Sequence, residues 1–461
     1  MNRIVILGFG SIGSGLLPLL VKHVDPKMIT VIGGDNRNVN VVAKYGVGYI
    51  TQSLNKENYT VILDRMLVSG DMLVNLSVNV SSQALVEYCH TNHVLYLDTC
   101  IEPWEGYYTD QSVPAEKRSN YSLRQDILDL RSSYALESQD PGATAIMAHG
   151  ANPGLVNHFV KRALVNIAQT YKPQLLAHMP TKQSDWSQFA RKLGVKVIHI
   201  AERDTQTPQT PKQVGEFVNT WSVDGFISEG LQPSELGWGS HEKEFPKDGH
   251  RYNWGCKSAI WLSRPSCSTR VRTWTPQAGS FIGFLITHNE SISIADYFSS
   301  PWYRPTVHYA YHPCDAAVLS VHEMQGNNYQ EQAIKRLIVD EVEQGVDELG
   351  VLMMGDFGAY WYGSLLDIQT ARKLVPHNNA TSLQVVAPVL AGILYARDNP
   401  RLGIVEADDL PHEEILKITD PYMGNLVGAH TDWTPLKDRG ILFPEDIDQQ
   451  DPWQFKNFRV N

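Results

Sequence analysis

From Arg3 onward, short aliphatic runs alternate with segments whose apolar residues recur at helical spacing. That alternation predicts repeated β-α-β units and a parallel sheet, because each strand needs a helix to cover its face. Strands are expected at 3–7, 28–32, 72–76, 94–97 and 144–148. Helices are expected at 14–22, 59–67 and 82–90, the last with Ser81 or Ser82 as N-cap. Past Pro153 the alternation turns irregular, rich in aromatic residues and Gly/Pro breaks, which places a domain boundary there. The chain is therefore divided into an α/β domain at 1–152, a second, mixed α/β domain at 153–380, and a segment at 381–461 expected to turn back toward the first. The apolar run 383–396 is too short to span a bilayer and contains Pro388, so it is expected as a buried helix. The apolar stretch 4–21 lacks a basic leader and is broken by four glycines, unlike an export signal. The Pro/Thr-rich stretch 205–211 is expected as a loop.

The first strand runs directly into Gly8-Phe9-Gly10-Ser11-Ile12-Gly13 and then into a helix. This is the context that a dinucleotide-binding G-x-G-x-x-G requires. Gly8 permits the tight turn, Gly10 lets the backbone approach a pyrophosphate, and Gly13 lets the helix pack on the strand. Ser11 and Ile12 lie in the first turn, whose N-terminus favours a dianion. Asp35 follows the second strand, where an acid hydrogen-bonds ribose hydroxyls and repels a 2′-phosphate; this predicts a Rossmann domain holding NAD, although Arg37 leaves NADP conceivable.

Composition narrows the partner. A net charge of −11 with no Lys/Arg run argues against nucleic acid and membrane and suits a cationic substrate. Five cysteines, an odd number without a CxxC pair, predict neither a disulfide framework nor a zinc site, and suggest reduced thiols in the cytoplasm. The 16 histidines fall into no HExxH-type spacing, so no metal is expected.

The remaining motifs are longer and more specific. They are Asp98-Thr99-Cys100-Ile101-Glu102-Pro103-Trp104, His149-Gly150-Ala151-Asn152-Pro153-Gly154, Ala201-Glu202-Arg203-Asp204-Thr205-Gln206 and Asn219-Thr220-Trp221-Ser222. Further on come Glu229-Gly230, Glu235-Leu236-Gly237-Trp238-Gly239 and Ile286-Thr287-His288-Asn289-Glu290. Over essentially its whole length the chain resembles the bacterial homospermidine synthases, in the saccharopine-dehydrogenase-like group. The resemblance implies a homodimer with tightly held NAD, whose second domain binds substrate and forms the dimer. It implies redox-neutral aminobutyl transfer joining two putrescines, or spermidine and putrescine, through an imine, with release of ammonia or diaminopropane. The chain departs from the family pattern at Asp356, where a histidine is usual.

Such chemistry needs anionic and aromatic groups for ammonium ions, a base for the attacking amine, and walls that exclude water from the imine. Glu202, Glu229 and Glu235 lie in aromatic- and glycine-rich text, which suggests partial burial, with a salt bridge or helix cap as the alternative for each. The indole of Trp221 offers a cation–π face, or else packs in a core. Asn152 emerges at the carboxyl end of a strand, able to align the nicotinamide or a substrate amine, or to form a turn. His288 follows a strand-like run and is a candidate proton acceptor, or a structural histidine. Glu102 projects toward the same crevice, as ammonium anchor or base. Two other functions compete: a saccharopine- or carboxynorspermidine-type dehydrogenase, whose substrate carboxylate calls for convergent arginines, and a non-catalytic NAD sensor, which has no use for Glu202, Trp221 and Glu229.

Overall fold

A computed structural model of the protein describes residues 3–460. The N-terminal part runs β1 (Ile4–Leu7), α1 (Ser11–Leu20), β2 (Ile29–Gly33), α2 (Val39–Lys44), β3 (Gly48–Thr51), α3 (Tyr59–Asp64), β4 (Met72–Asn75), α4 (Ser82–Thr91), β5 (Leu95–Asp98), α5 (Asn120–Glu137) and β6 (Ala145–Met147). The strands form one parallel sheet in the order β3-β2-β1-β4-β5-β6, the doubly wound arrangement that opens a crevice between β1 and β4. β1, β4 and β5 are buried along their whole length, as strands covered on both faces must be. The edge strand β3 was absent from the expectation because it is largely exposed and carries no apolar periodicity. α1 starts earlier than its apolar pattern, since Gly10 is its N-cap and the glycine loop winds straight into the first turn. Gly8 sits at φ +85°, and a β-carbon there would lie 2.7 Å from the Leu76 carbonyl oxygen, so the turn admits glycine alone.

The second sheet has eleven strands of mixed direction. Its spine is β7 (Val195–Asp204), parallel to the strand Thr306–His312 and antiparallel to Val346–Gly355. Antiparallel pairing explains why the β-α alternation fades after Pro153. α6 (Leu155–Tyr171) covers one face, with Phe159, Ala163 and Leu164 buried in the larger core.

Past residue 380 the chain serves both sheets. The helix Ala380–Asp398 is long and apolar enough to cross a membrane by length and composition, but 83% of that stretch is buried within the fold. Leu383, Val386 and Leu390 pack with Leu16, Leu17 and Leu20 of α1 in one core, while Ala387 belongs to the other. Each such leucine or valine, fully buried, stabilises by roughly 1.5–3 kcal/mol. The strand Ile404–Glu406 then joins the first sheet beside β6, and Asn425–Thr431 and Arg459–Val460 join the second.

Glu235, read above as a candidate ammonium ligand, has a structural position. It is fully buried and accepts the first two amide N–H groups of α5, Asn120 at 2.9 Å and Tyr121 at 3.2 Å. The hydroxyls of Thr287, at 2.6 Å, and Tyr252, at 2.7 Å, complete its shell. It is thus an anion at a helix N-terminus that ties the first sheet's last helix to the second sheet. Glu235→Ala, which takes the acceptor from four buried donors and leaves only Tyr252 a second one, at Ser119, is expected to cost about 3–5 kcal/mol in denaturant unfolding; unchanged stability contradicts this assignment.

Candidate active site

One cavity of about 1150 Å³ runs from the glycine loop into the second sheet. Gly8, Gly10, Ser11 and Ile12 line one end, and Glu102, Asn152, Glu202, Trp221, Glu229 and His288 line the other. Residues that pattern reasoning singled out one at a time therefore face a common space. Gly13 and Asp35 are not on its wall. Gly13 acts in packing, since a β-carbon there would meet the Gly8 carbonyl oxygen at 2.8 Å. Asp35 accepts the Arg37 amide at 2.8 Å and its guanidinium at 2.7 Å, an exposed pair in which Arg37 holds the carboxyl below its ordinary range.

The loop end fits a dinucleotide. Nothing lies within 4 Å of the space a β-carbon on Gly10 would take, and that space opens into the cavity at the N-terminus of α1. Asn38 donates to the Phe9 carbonyl at 2.9 Å and fixes the loop. Arg37, the residue that left NADP open, is paired with Asp35 at 2.6 Å.

At the other end, β7 delivers Glu202, 3% exposed. Its Oε2 accepts the Tyr309 hydroxyl at 2.6 Å and the Asn152 amide at 3.2 Å. Burial lifts this carboxyl to about 8, and the Tyr309 hydrogen bond only partly offsets it. Trp221 lies just ahead of the helix Val223–Leu231, which Ser222 caps through the Gly225 amide at 3.0 Å. Its indole N–H donates to Tyr311 at 3.1 Å, which fixes the ring and leaves a face on the cavity. The same helix carries Glu229.

His288 stands between two glutamates. Its Nδ1 lies 3.2 Å from Glu290 Oε1, and its Nε2 lies 3.0 Å from Glu229 Oε2, at ion-pair distance but without an in-line N–H···O bond. Burial alone would favour the neutral ring, yet the two carboxylates hold it well above its ordinary range. The charged ring that this favours suits a proton donor, beside the acceptor and structural roles open from sequence. Glu102 accepts the Cys100 thiol at 3.1 Å and the Asn79 amide at 3.4 Å; burial raises its carboxyl, and nearby Glu229 adds to the effect.

Glu290, Tyr309 and Tyr311 were not assigned from sequence. The signal for Glu290 was its place two residues after His288; the tyrosines gave none, because their roles depend on pairing across strands. Asp356, where the chain departs from the family pattern, is exposed in the hairpin between Val346–Gly355 and Gly358–Asp367 and is not on the cavity wall. No group of three or more potential metal ligands occurs among the described residues.

Comparison with known proteins follows this geometry. The family model described as saccharopine dehydrogenase NADP binding domain matches residues 4–146, and that of the saccharopine dehydrogenase C-terminal domain matches 150–432. A homospermidine synthase of Blastochloris viridis is 48% identical, with 99% of this chain and 97% of the relative covered. One from Mesorhizobium japonicum is 45% identical, with 99% and 96% covered. The chain belongs to the homospermidine synthase family. The crystal structure of a family member from Legionella pneumophila, in complex with NAD, superposes with a TM-score of 0.92 at 46% identity, covering 100% of this chain and 98% of that one. The L-Glu-forming saccharopine dehydrogenase of Saccharomyces cerevisiae, at 11% identity and a TM-score of 0.52, shares the fold alone, over 93% of this chain and 99% of that one. NAD is the ligand of that Legionella protein, and the glycine loop and Asp35 of this chain stand where a dinucleotide site was expected.

The raised Glu202 value has a measurable sign. Between the ordinary glutamate value of 4.5 and about 8, the native state keeps a proton that the unfolded chain releases, so stability falls as pH rises through that window. Glu202→Gln lacks this loss. Its melting temperature, relative to the parent, is expected to climb steadily across the window in thermal unfolding without added amine; parallel curves contradict the assignment.

Proposed function

We propose that the chain joins two aminobutyl units, from two putrescines or from spermidine and putrescine, into homospermidine. The observation that carries this reading is the wall of the cavity. It sets Glu102, Glu202 and Glu229 beside an indole face, and among the described residues its one arginine is Arg37, already paired with Asp35. A saccharopine-type substrate brings a carboxylate, which such a wall repels. A pure NAD sensor needs none of these groups.

NAD, when bound along the glycine loop, supplies reversible hydride transfer at the amine-bearing carbon. The protein's own groups do the rest. Glu102 and Glu229 hold the ammonium ends of the substrate. The Trp221 face and Glu229 stabilise the cationic C=N group that the oxidised amine becomes, a contact worth about 0.5–2 kcal/mol for the indole. Glu202, aligned by Asn152 and Tyr309, takes the proton of the attacking ammonium. His288, charged by Glu229 and Glu290, gives a proton to the departing amine. Burial of these groups keeps water from the imine.

On this reading residues 1–152 hold the dinucleotide, 153–380 hold substrate and form a homodimer, and 381–461 tie the two. The exposed run Ile441-Leu442-Phe443, each at least 75% accessible, gives the last segment a share in that dimer surface. Five cysteines without a disulfide support a cytoplasmic site of action.

Incubating the purified protein with NAD and putrescine alone is expected to yield homospermidine and ammonia in equal amounts by mass spectrometry. An aminoaldehyde or its cyclic imine as main product overturns the reading. In the same assay Trp221→Leu should lower turnover about tenfold or more while NAD still binds, and Trp221→Phe, which keeps a weaker quadrupole, should lose less. Equal losses with unfolding in both variants would make Trp221 a core residue.

A further inference from the structure

Behind Glu202 lie two carboxylates that the reading above does not use. Glu202 and Asp204 occupy alternate positions of β7 and so project from the same face, and Asp347 is the antiparallel partner of Asp204. Asp204 and Asp347 are both 0% exposed. Three ionised carboxylates cannot share such a site, because like charges directly opposite one another repel and none is solvated.

The hydrogen bonds show which of the two keeps its charge. Asp204 Oδ1 accepts the Gln206 amide N–H at 2.8 Å and its side-chain amide at 3.1 Å, and Oδ2 accepts the Thr220 hydroxyl at 2.9 Å. Asp347 has one side-chain contact, between Oδ2 and the Thr381 hydroxyl, and its Oδ1 has no partner. Thr381 Oγ1 also accepts Gln206 Nε2 at 3.0 Å and lies 3.5 Å from Asp204 Oδ2. A hydroxyl carries one proton and can donate to only one of two carboxylates. The poorly solvated member of the pair is therefore the one that carries a proton.

We propose that Asp347 is a neutral acid and that Asp204 is a positioning residue, whose fixed negative charge behind Glu202 keeps that carboxyl able to take a proton from the attacking amine. The surrounding charges agree. Arg203 on β7 bears on Asp204, Glu348 beside Asp347 adds to the crowding of negative charge, and His288 and Glu290 act on Glu202 from the other side. Tyr309 and Tyr311 on the neighbouring strand, and Cys314 beyond it, are pushed up by burial, to which the carboxylates add, and stay neutral. Burial raises Asp204 only to about 6, so it is ionised where Glu202 titrates, whereas Asp347 is driven well above its ordinary range.

The inference rests on Glu202 as the proton acceptor proposed above, and the test separates the two. The acidic limb of the kcat/KM profile reports the base in the free enzyme. Asp204→Asn is expected to move that limb down by about two pH units, the effect at an effective dielectric of 20 of losing a charge two strand residues, or about 6.6 Å, away. Asp347→Asn, which replaces a neutral acid by a neutral amide, should leave the limb in place. Glu202→Gln should abolish it. An unmoved limb in Asp204→Asn, or an equal shift in Asp347→Asn, overturns the inference while leaving Glu202 as base. A limb that survives in Glu202→Gln overturns both. Should Asp204→Asn not fold, Asp204→Ser, with room for water, carries the same measurement. Infrared difference spectra of the parent protein give a second readout: a carboxylic-acid C=O band that persists above the Glu202 transition and is lost in Asp347→Asn supports the inference, and absence of such a band contradicts it.

Discussion

The organising constraint of this molecule is negative charge held out of water without matching cations. Glu102, Glu202 and Glu229 line one cavity, with His288 between Glu229 and the buried Glu290 behind the wall. Burying carboxylates in this way costs folding free energy unless protons or cationic ligands neutralise them. The raised carboxyl of Glu202, and the proton assigned to Asp347, are what the site does in the absence of such ligands. In the function proposed, ammonium groups take their place.

The fold makes that arrangement sustainable by fixing each carboxylate through neutral donors. β7 sets Glu202 against Tyr309 and Asn152, and the strand register places Asp204 opposite Asp347. The helix Ala380–Asp398 packs α1 on one side and brings Thr381 to the carboxylates on the other, so the dinucleotide loop and the amine pocket share one rigid support. Glu235, with four donors from three separate elements, joins α5 to the second sheet. Placement of this kind is how oxidation of an amine, attack on the resulting imine and its reduction can take place in one dry space.

Much of this was legible in the sequence, unevenly. The doubly wound sheet and Gly8-Phe9-Gly10-Ser11-Ile12-Gly13 were plain, because local periodicity and a short motif determine them. The segments carrying Glu102, Asn152, Glu202, Trp221, Glu229 and His288 identified the residues that line one cavity, though no local rule says that distant segments converge. For Glu235 the sequence left an ammonium ligand and a helix cap both open, because the two sit in the same kind of text, and its contacts are those of the cap. The role of His288 was open in the sequence for a related reason: its charge state depends on Glu229, which approaches from another element. β3 escaped notice because an exposed edge strand has no apolar pattern to display.

The central claim, that the hydride taken from the amine-bearing carbon is returned in the same site before the cofactor or the joined product leaves, is tested most directly by isotope. With putrescine deuterated at both amine-bearing carbons as the only substrate and unlabelled NAD, the account predicts homospermidine that keeps its full label at the carbons flanking the new secondary amine, with no lasting absorbance from reduced cofactor. Loss of one deuterium per molecule at that position, or reduced cofactor accumulating in step with putrescine consumed, would contradict it.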